Sequence, residues 1–405
     1  MIGETARSFS STLWNSRKRS RGSFETWQKR RLQNWLRRDL PRVDFYGQAK
    51  DLVDLPIIDK ATLMNQFTAF NIHGISADQV REAMRSDCRI GDMTVGASTG
   101  TSGNRGLFVI SMRERFRWLG AILAKTMPDL ILRKQRVAII LPQGGALYDS
   151  ARKARIDLAI FSLLDGPEHW RSELERFDPT IVVAPPKVLR DLTETSIAPV
   201  RVFSAAETLD PIDRKCIEGR FTTPLEQIYM ATEGLLGVTC RLGNLHLAEE
   251  SIHFEFEPAG DGLVTPLITS FARQTQIMAR YRMNDLLRLG TDCACGSPLQ
   301  VVDEVVGRMD DVFRLGDVSI TPDVLRNTVL DASPLIDDFR LVQSGNQVTL
   351  RLLPSLAKSD ADRARADVQA LLDRRSFPAH VHLEQVALPL ETKHKLRRVE
   401  RLPIA

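Results

Sequence analysis

Along the first forty residues apolar and polar positions recur with a helical rather than a strand period. Between residues 8 and 40, Phe24, Trp27, Leu32, Trp35 and Leu40 return every three to five positions among arginines and serines, which predicts an amphipathic helix. Asp59, following Pro56, is placed to cap a second helix and Ser76 a third, because short oxygen side chains satisfy the free N–H groups of a first turn. The first ninety residues therefore read as a helical lead-in. After them, β-branched runs (QRVAIILP, TIVVAPP, VRVFSAAE, EQIYMATEG) alternate with helical stretches (YDSARKARIDLAIFSLL, VLRDLTET, PIDRKCIEGRF). That alternation predicts parallel α/β layers. From Leu245 strands follow one another without helices, predicting an antiparallel or mixed section. Beyond Gly307 the pattern gives a strand pair turning at Ser344-Gly345-Asn346, a helix from about Ser359 to Arg374 and a last strand, HVHLEQVAL. This is a small α+β unit of about a hundred residues.

Composition narrows the reading modestly. The chain has 405 residues, 43% hydrophobic and 26% charged, enough for a full core without staples. Fifty-five Lys and Arg against fifty-one Asp and Glu leave a formal +4, which demands no polyanionic partner. The longest apolar runs, such as Val137 to Leu141, are strand-sized, so no membrane insertion is expected. Five cysteines, an odd number, and no apolar leader imply a reduced, cytoplasmic protein.

Four places carry candidate chemistry. Gly96 to Gly106 is a Gly/Ser/Thr loop (GASTGTSGNRG) ahead of the apolar run LFVI, and its free backbone N–H groups suit phosphates or a plain turn between strands. It lacks the Gly-Lys-Ser/Thr of a Walker loop. Glu207 and Glu233 stand at the ends of predicted strands, where open α/β sheets bind ligands, and a carboxylate there suits Mg²⁺ together with substrate phosphates. Asp285, Arg308, Asp310 and Asp311 recur at further strand ends, a set suited to a nucleotide's ribose and phosphates. Cys240, His246, Cys293 and Cys295 match the Cys₃His donor set of a structural zinc site, against the alternative of reduced core thiols, which is the reading for Cys88 and Cys216. The basic stretches SRKRSRG and QKRRLQNWLRR read either as an RNA-binding face or as solvated helix surface. An RNA-binding zinc protein would show steep salt dependence, and 6% aromatic residues give it no stacking platform, so no nucleic-acid partner is expected.

Taken in order, the Gly/Ser/Thr loop, SAAE at 204–207, YMATEG at 229–234, RYRMNDL at 280–286, GRMDD at 307–311 and TKHKLRR at 392–398 resemble the motifs of the adenylate-forming superfamily. The similarity is to the branch of phenylacetate-CoA ligases and deazaflavin-coenzyme adenylyltransferases, and LPIIDKATLM and the cysteine spacing extend it over nearly the whole chain. The resemblance implies an α/β domain over residues 1–309, with residues 1–90 as its lead-in, and a mobile α+β lid over residues 310–405 hinged near Asp310. It implies ATP and Mg²⁺, and a carboxylic acid converted to acyl-AMP. By carry-over, Ser98, Thr99, Gly100, Thr101, Ser102 and Gly103 hold the departing phosphates, Thr232 the α-phosphate and Glu233 the magnesium. Ala206, Glu207 and Tyr229 face the nucleotide, Asp285 takes the ribose hydroxyls with Arg308 nearby, and Lys395 supplies a cation at the reacting phosphate. Asn104-Arg105-Gly106 and His394 depart from the superfamily's usual proline-lysine and glycine. The acceptor expected is a thiol, coenzyme A or a carrier protein's phosphopantetheine, and the alternative is transfer of AMP or the acyl group to a non-thiol. The branch suggests a small aromatic acid, lined by Gln143 to Ala146, Ala205, Ala206, Tyr229 and Met230.

Overall fold

A computed structural model describes residues 2–17, 20–47, 49–98, 106–130, 132–141, 155–390 and 395–403. The lead-in forms helices α1 (Ile2–Arg17) and α2 (Arg21–Arg38), then α3 (Lys60–Asn65) and α4 (Ala77–Ala83). The single helix expected across residues 8–40 is thus two. Ser20 takes an extended backbone and its side chain accepts from Ser23 N–H, starting α2 afresh. Asp59 accepts from Thr62 N–H at 2.8 Å and Ser76 forms a reciprocal capping box with Gln79, as their sequence positions predict.

Strands β1 (Arg89–Ile90), β2 (Met93–Ala97) and β3 (Leu107–Ser111) form a small antiparallel sheet, and β2 and β3 flank the Gly/Ser/Thr loop. Helix α5 (Met112–Thr126) follows directly, capped by Ser111 and Glu114. A Cβ on Gly120 would sit 2.4 Å from the Thr5 carbonyl oxygen, so only glycine lets α1 lie this close along α5.

The central sheet begins with β4 (Gln135–Leu141) and β5 (Ile156–Ser162), and continues with β6 (Ile181–Ala184), β7 (Arg201–Ala205) and β8 (Leu225–Ala231). These run parallel in the order β5-β4-β6-β7-β8, as alternation predicted. One segment differs. Residues 156–162 were expected to be helical but form β5, in parallel register from Gln135↔Ile156 to Leu141↔Ser162. Its apolar side chains gain more by completing the sheet edge than local helical spacing offers. Residues 142–154, including Gln143 to Ala146, lie outside the described residues.

Past β8 the sheet becomes antiparallel through β9 (Gly234–Thr239), β10 (Leu245–Leu247), β11 (His253–Gly260), β12 (Leu263–Thr269), β13 (Tyr281–Arg282), β14 (Asp285–Leu289) and β15 (Val301–Arg308). After a 3-10 turn at Met309–Asp311 comes the short pair β16 (Phe313–Leu315) and β17 (Val318–Ile320). A four-stranded sheet closes the chain, with β18 (Phe339–Ser344), β19 (Gln347–Leu352), β20 (His380–Gln385) and β21 (Val399–Arg401), packed with helices Pro322–Ala332 and Lys358–Arg374 around its own buried cluster. No helix among the described residues is long and apolar enough to cross a membrane.

Candidate active site

One cavity of about 1290 Å³ opens where the parallel strands end, and most of the candidate residues line it. Ser98 closes the neck of the Gly/Ser/Thr loop: its N–H donates to Gly106 O at 2.7 Å and its Oγ accepts from Gly106 N–H at 3.0 Å. Thr99, Gly100, Thr101, Ser102 and Gly103 lie outside the described residues. Just after β7, Ala206 takes a left-handed backbone (φ 70°), unusual for a residue with a Cβ, and this turn delivers Glu207 into the cavity. Ala205, by contrast, packs into the core beneath the sheet instead of lining the cavity.

The Glu207 side chain is 4% exposed, and its Oε1 lies 2.9 Å from Nζ of Lys187, whose side chain is 5% exposed. The same oxygen accepts the N–H of Leu396 at 3.1 Å, tying the C-terminal segment to the central sheet. Burial raises the Glu207 pKa, and Lys187 opposes that shift. Oε2 is buried with no hydrogen-bond partner among the described residues. Beside it, Lys395 is half-buried; desolvation lowers its pKa, as does Arg308, while Asp285 and Glu207 pull it back up.

The YMATEG segment crosses the cavity floor. Tyr229 donates its hydroxyl to Asp285 Oδ2 at 2.6 Å. Asp285 and Arg308 face one another in register on β14 and β15. Glu233 is half-buried, and the desolvation of its carboxyl raises its pKa; it is hydrogen-bonded to the Tyr281 hydroxyl. A carboxylate held in this way fits a divalent cation in its donor chemistry. Thr232 is fixed through its backbone, whose carbonyl accepts from Arg273 Nη2 at 2.9 Å.

Sequence reasoning missed four side chains here. Lys60 lies in the cavity wall with its Cε 3.6 Å from where a Gly106 Cβ would stand, and Glu233 and Asp310 act on its charge. LPIIDKATLM was read as a helix start and as part of the family resemblance, with no role given to Lys60, which follows its capping aspartate directly. Lys187 and Arg273 carry no local signal, since each acts on a partner at least twenty residues away, whereas Tyr281 lies within the RYRMNDL motif and was given no role there.

Elsewhere, Cys240, His246, Cys293 and Cys295 place one donor atom each within 4.8 Å of one another. The Cys240 and Cys293 sulfurs are 3.8 Å apart, and Cys295 Sγ lies 3.4 Å from His246 Nε2. With zinc–sulfur bonds of about 2.3 Å at a tetrahedral angle, two ligating sulfurs lie about 3.8 Å apart. His246 Nδ1 is 2.9 Å from the Leu299 carbonyl, which fixes the proton there and leaves Nε2 a lone pair aimed at the thiols. Backbone N–H groups of Leu242, Cys295 and Ser297 point at the sulfurs, as suits thiolates. Cys88 and Cys216 are only half-buried, so they are not the core thiols expected.

With the geometry described, comparison with solved structures decides the architecture. 2-Hydroxyisobutyryl-CoA ligase in its postadenylation state, with 2-HIB-AMP bound, superposes with a TM-score of 0.73 at 17% identity, covering 96% of this chain and 91% of that one. The chain has the adenylate-forming ligase fold. The same ligase in its thioesterification state gives 0.60, so the arrangement here is more similar to the postadenylation one. A benzoate CoA ligase from Burkholderia xenovorans LB400 shares the ligase fold at 0.53 and 14% identity, over 76% of this chain and 68% of that chain. No family model matches. Among curated proteins, Protein CapK of Staphylococcus aureus is 24% identical over 146 residues, 35% of this chain and about a third (32%) of that protein's length.

Proposed function

We propose that the protein is an adenylate-forming ligase: it activates a carboxylic acid with ATP and passes the acyl group to a thiol, coenzyme A or a carrier-protein phosphopantetheine. The observation that carries this reading is the convergence of Lys395, Glu207, Asp285 and Glu233 on one cavity at the strand ends. In the first step a carboxylate oxygen attacks the α-phosphorus, the bond to the bridging oxygen of the β-phosphate breaks, and pyrophosphate leaves. Phosphoryl chemistry of this kind needs positioning and charge neutralisation more than covalent help. Lys395 supplies a cation at the α-phosphate, Thr232 a hydroxyl, Asp285 an acceptor for the ribose diol beside Arg308, and Ser98 the edge of a phosphate cradle. Mg²⁺ held by Glu233 would neutralise the phosphate charge that these cations leave. In the second step the thiolate sulfur attacks the acyl carbon and the C–O bond to AMP breaks, releasing AMP.

Several finer readings belong to the same proposal. The acid is aryl, supported by Trp118, Met230 and Leu235 along the cavity wall. Zinc sits in the Cys₃His cluster, where four protein ligands leave no open position and its role is structural. Residues 310–405 form the lid over the 1–309 domain, and the site of action is the cytoplasm. A non-thiol acceptor for the AMP or acyl group is the second reading.

ATP–pyrophosphate exchange against a panel of aryl, arylalkyl and short aliphatic acids, without thiol, tests the first step. Exchange with one acid supports it. Absence of exchange with every acid while ATP still binds would remove carboxylate activation from the proposal.

A further inference from the structure

The cavity is larger than the roughly 300–1,000 Å³ of an ordinary small-molecule pocket, and it does not end at the nucleotide. It continues into a vestibule between three helices. Glu4, Ser8 and Ser11 of α1, Arg31, Trp35 and Arg38 of α2, and Glu114, Trp118 and Ala121 of α5 all line it. Each set has the spacing i, i+4, i+7, so each helix turns one continuous stripe inward. The vestibule joins the reacting end directly: Trp35 Nε1–H donates to Arg273 O at 2.8 Å, and Arg273 in turn holds Thr232. Arg273 Nη1 lines this junction, buried and without a hydrogen-bond partner among the described residues.

The carboxylates of the vestibule are already engaged, Glu250 by Lys125 at 2.6 Å. Glu4 is engaged by Arg7, Arg113 and Arg117, and Asp39 by Arg38 and Arg42. The Glu114 carboxylate is taken by the backbone N–H groups of Gln274, Thr275 and Ser111. Arg31 and Arg37 line the cavity at its exposed mouth without a carboxylate partner among the described residues, Arg37 being held in place by donating Nη2 to Asn34 Oδ1 at 3.0 Å and Nε to Gln33 O at 3.3 Å. A purely apolar acid tail would leave the charges of Arg31 and Arg37 without a counter-ion and Arg273 Nη1 without an acceptor, whereas an anionic group supplies both.

We infer that the acid activated here carries a second anionic group, a carboxylate or phosphate at its far end, and that Arg31 and Arg37 receive it in the α1–α2–α5 vestibule. This rests on the adenylation reading above and names the substrate class for it. The reacting carboxylate lies at Thr232 and Lys395, the body of the acid passes Trp118 and Arg273, and the distal anion reaches the arginine mouth.

The test is ATP–pyrophosphate exchange with length-matched pairs differing only at the far end: phenylacetate against 4-carboxyphenylacetate, 3-phenylpropanoate against its 4-carboxy and 4-phosphono derivatives, and octanoate against suberate. For at least one pair, kcat/KM is expected to favour the dianionic member tenfold or more, and in Arg31→Ala/Arg37→Ala that ratio falls toward one. Equal or better exchange with the neutral-ended members at every length overturns the inference and leaves adenylation standing. A preference that survives in the double variant overturns the assignment to these arginines. Titration calorimetry of the same pairs, without ATP, separates the two readings: arginine-dependent binding of dianions without exchange with any acid sinks adenylation alone. Failure of every dianion to bind or react sinks this inference.

Discussion

Leu396 donates its backbone N–H to Glu207 Oε1, so the residue after Lys395 is anchored to the tip of β7 by a carboxylate that Lys187 keeps company. The anchor fixes where Lys395 enters the cavity. Because Glu207 is buried, its pKa is raised, and Lys187 limits that rise. An ionised Glu207 accepts the Leu396 N–H more strongly than a protonated one.

Lys187→Met removes the counter-ion and lets the Glu207 pKa climb further. Adenylation then requires a higher pH to ionise Glu207, so the acidic limb of the exchange rate moves to higher pH, and the rate at neutral pH falls about tenfold or more. Lys187→Arg keeps a cation and is expected to restore the limb in part. The measurement is exchange rate against pH for the three proteins. An unmoved limb in Lys187→Met would take Lys187 out of the positioning role.

Lys395→Ala is expected to lower exchange by about 10²–10³-fold, the magnitude lost when one preorganised charge partner of a transition state is removed. Its melting temperature should stay within a few degrees of the parent, since desolvating this lysine, as its lowered pKa shows, offsets what its charge contributes to the fold. A variant that unfolds early or exchanges normally contradicts this role.

Asp285→Asn keeps the shape and removes the charge that receives the ribose. KM for ATP should rise about tenfold or more while discrimination between ATP and 2′-deoxy-ATP shrinks, because the hydroxyl contact is weakened for one nucleotide and absent for the other. Steady-state exchange kinetics with both nucleotides checks it.

Local signals in the chain announce local structure. Asp59 and Ser76 cap helices at the positions their side-chain chemistry marks, and the four zinc-type ligands are legible although Cys240 and Cys295 lie 55 positions apart, because hairpin β9–β10 and the β14–β15 loop return them to one place. Glu207, Tyr229, Glu233, Asp285, Arg308 and Lys395, drawn from the ordered motifs, line one cavity. What was not legible is tertiary. Lys187 meets Glu207, and Trp35 meets Arg273, only after strands and helices have packed, and nothing around either residue in sequence encodes the partner. Residues 156–162 failed for the opposite reason: their local helical spacing was overridden by pairing with β4.

The Cys₃His cluster predicts about one equivalent of zinc by elemental analysis of protein purified without chelator. Cys295→Ser should lose the metal and melt several degrees lower, since metal binding to a site absent from the unfolded chain contributes directly to folding. Metal-free parent protein of unchanged melting temperature would argue for reduced thiols.

Buried charge also joins the proposed lid to the rest of the chain. Arg398, 3% exposed, binds Asp210 and Asp213 next to the central sheet at 2.6 Å each and Asp338 beside β18 at 2.8 Å. Arg190 bridges Asp213 to Asp337, and Arg326 bridges Asp210 to Glu304. Cations and carboxylates therefore alternate across the junction between the two parts of the chain, and closing it means desolvating all of them together. Removing one partner of a buried pair costs about 3–5 kcal/mol, mostly because the opposing charges stay buried and unpaired. In Arg398→Gln that cost falls on Asp210, Asp213 and Asp338, and swinging the small unit away returns them to water. Proteolysis at the Met309–Asp311 turn should then quicken and scattering should show a larger radius of gyration. Pyrophosphate exchange should fall, whereas thioester formation from supplied acyl-AMP should fall much less. Equal losses in both half-reactions, with an unchanged radius, would show that Arg398 holds the fold together without selecting a lid position.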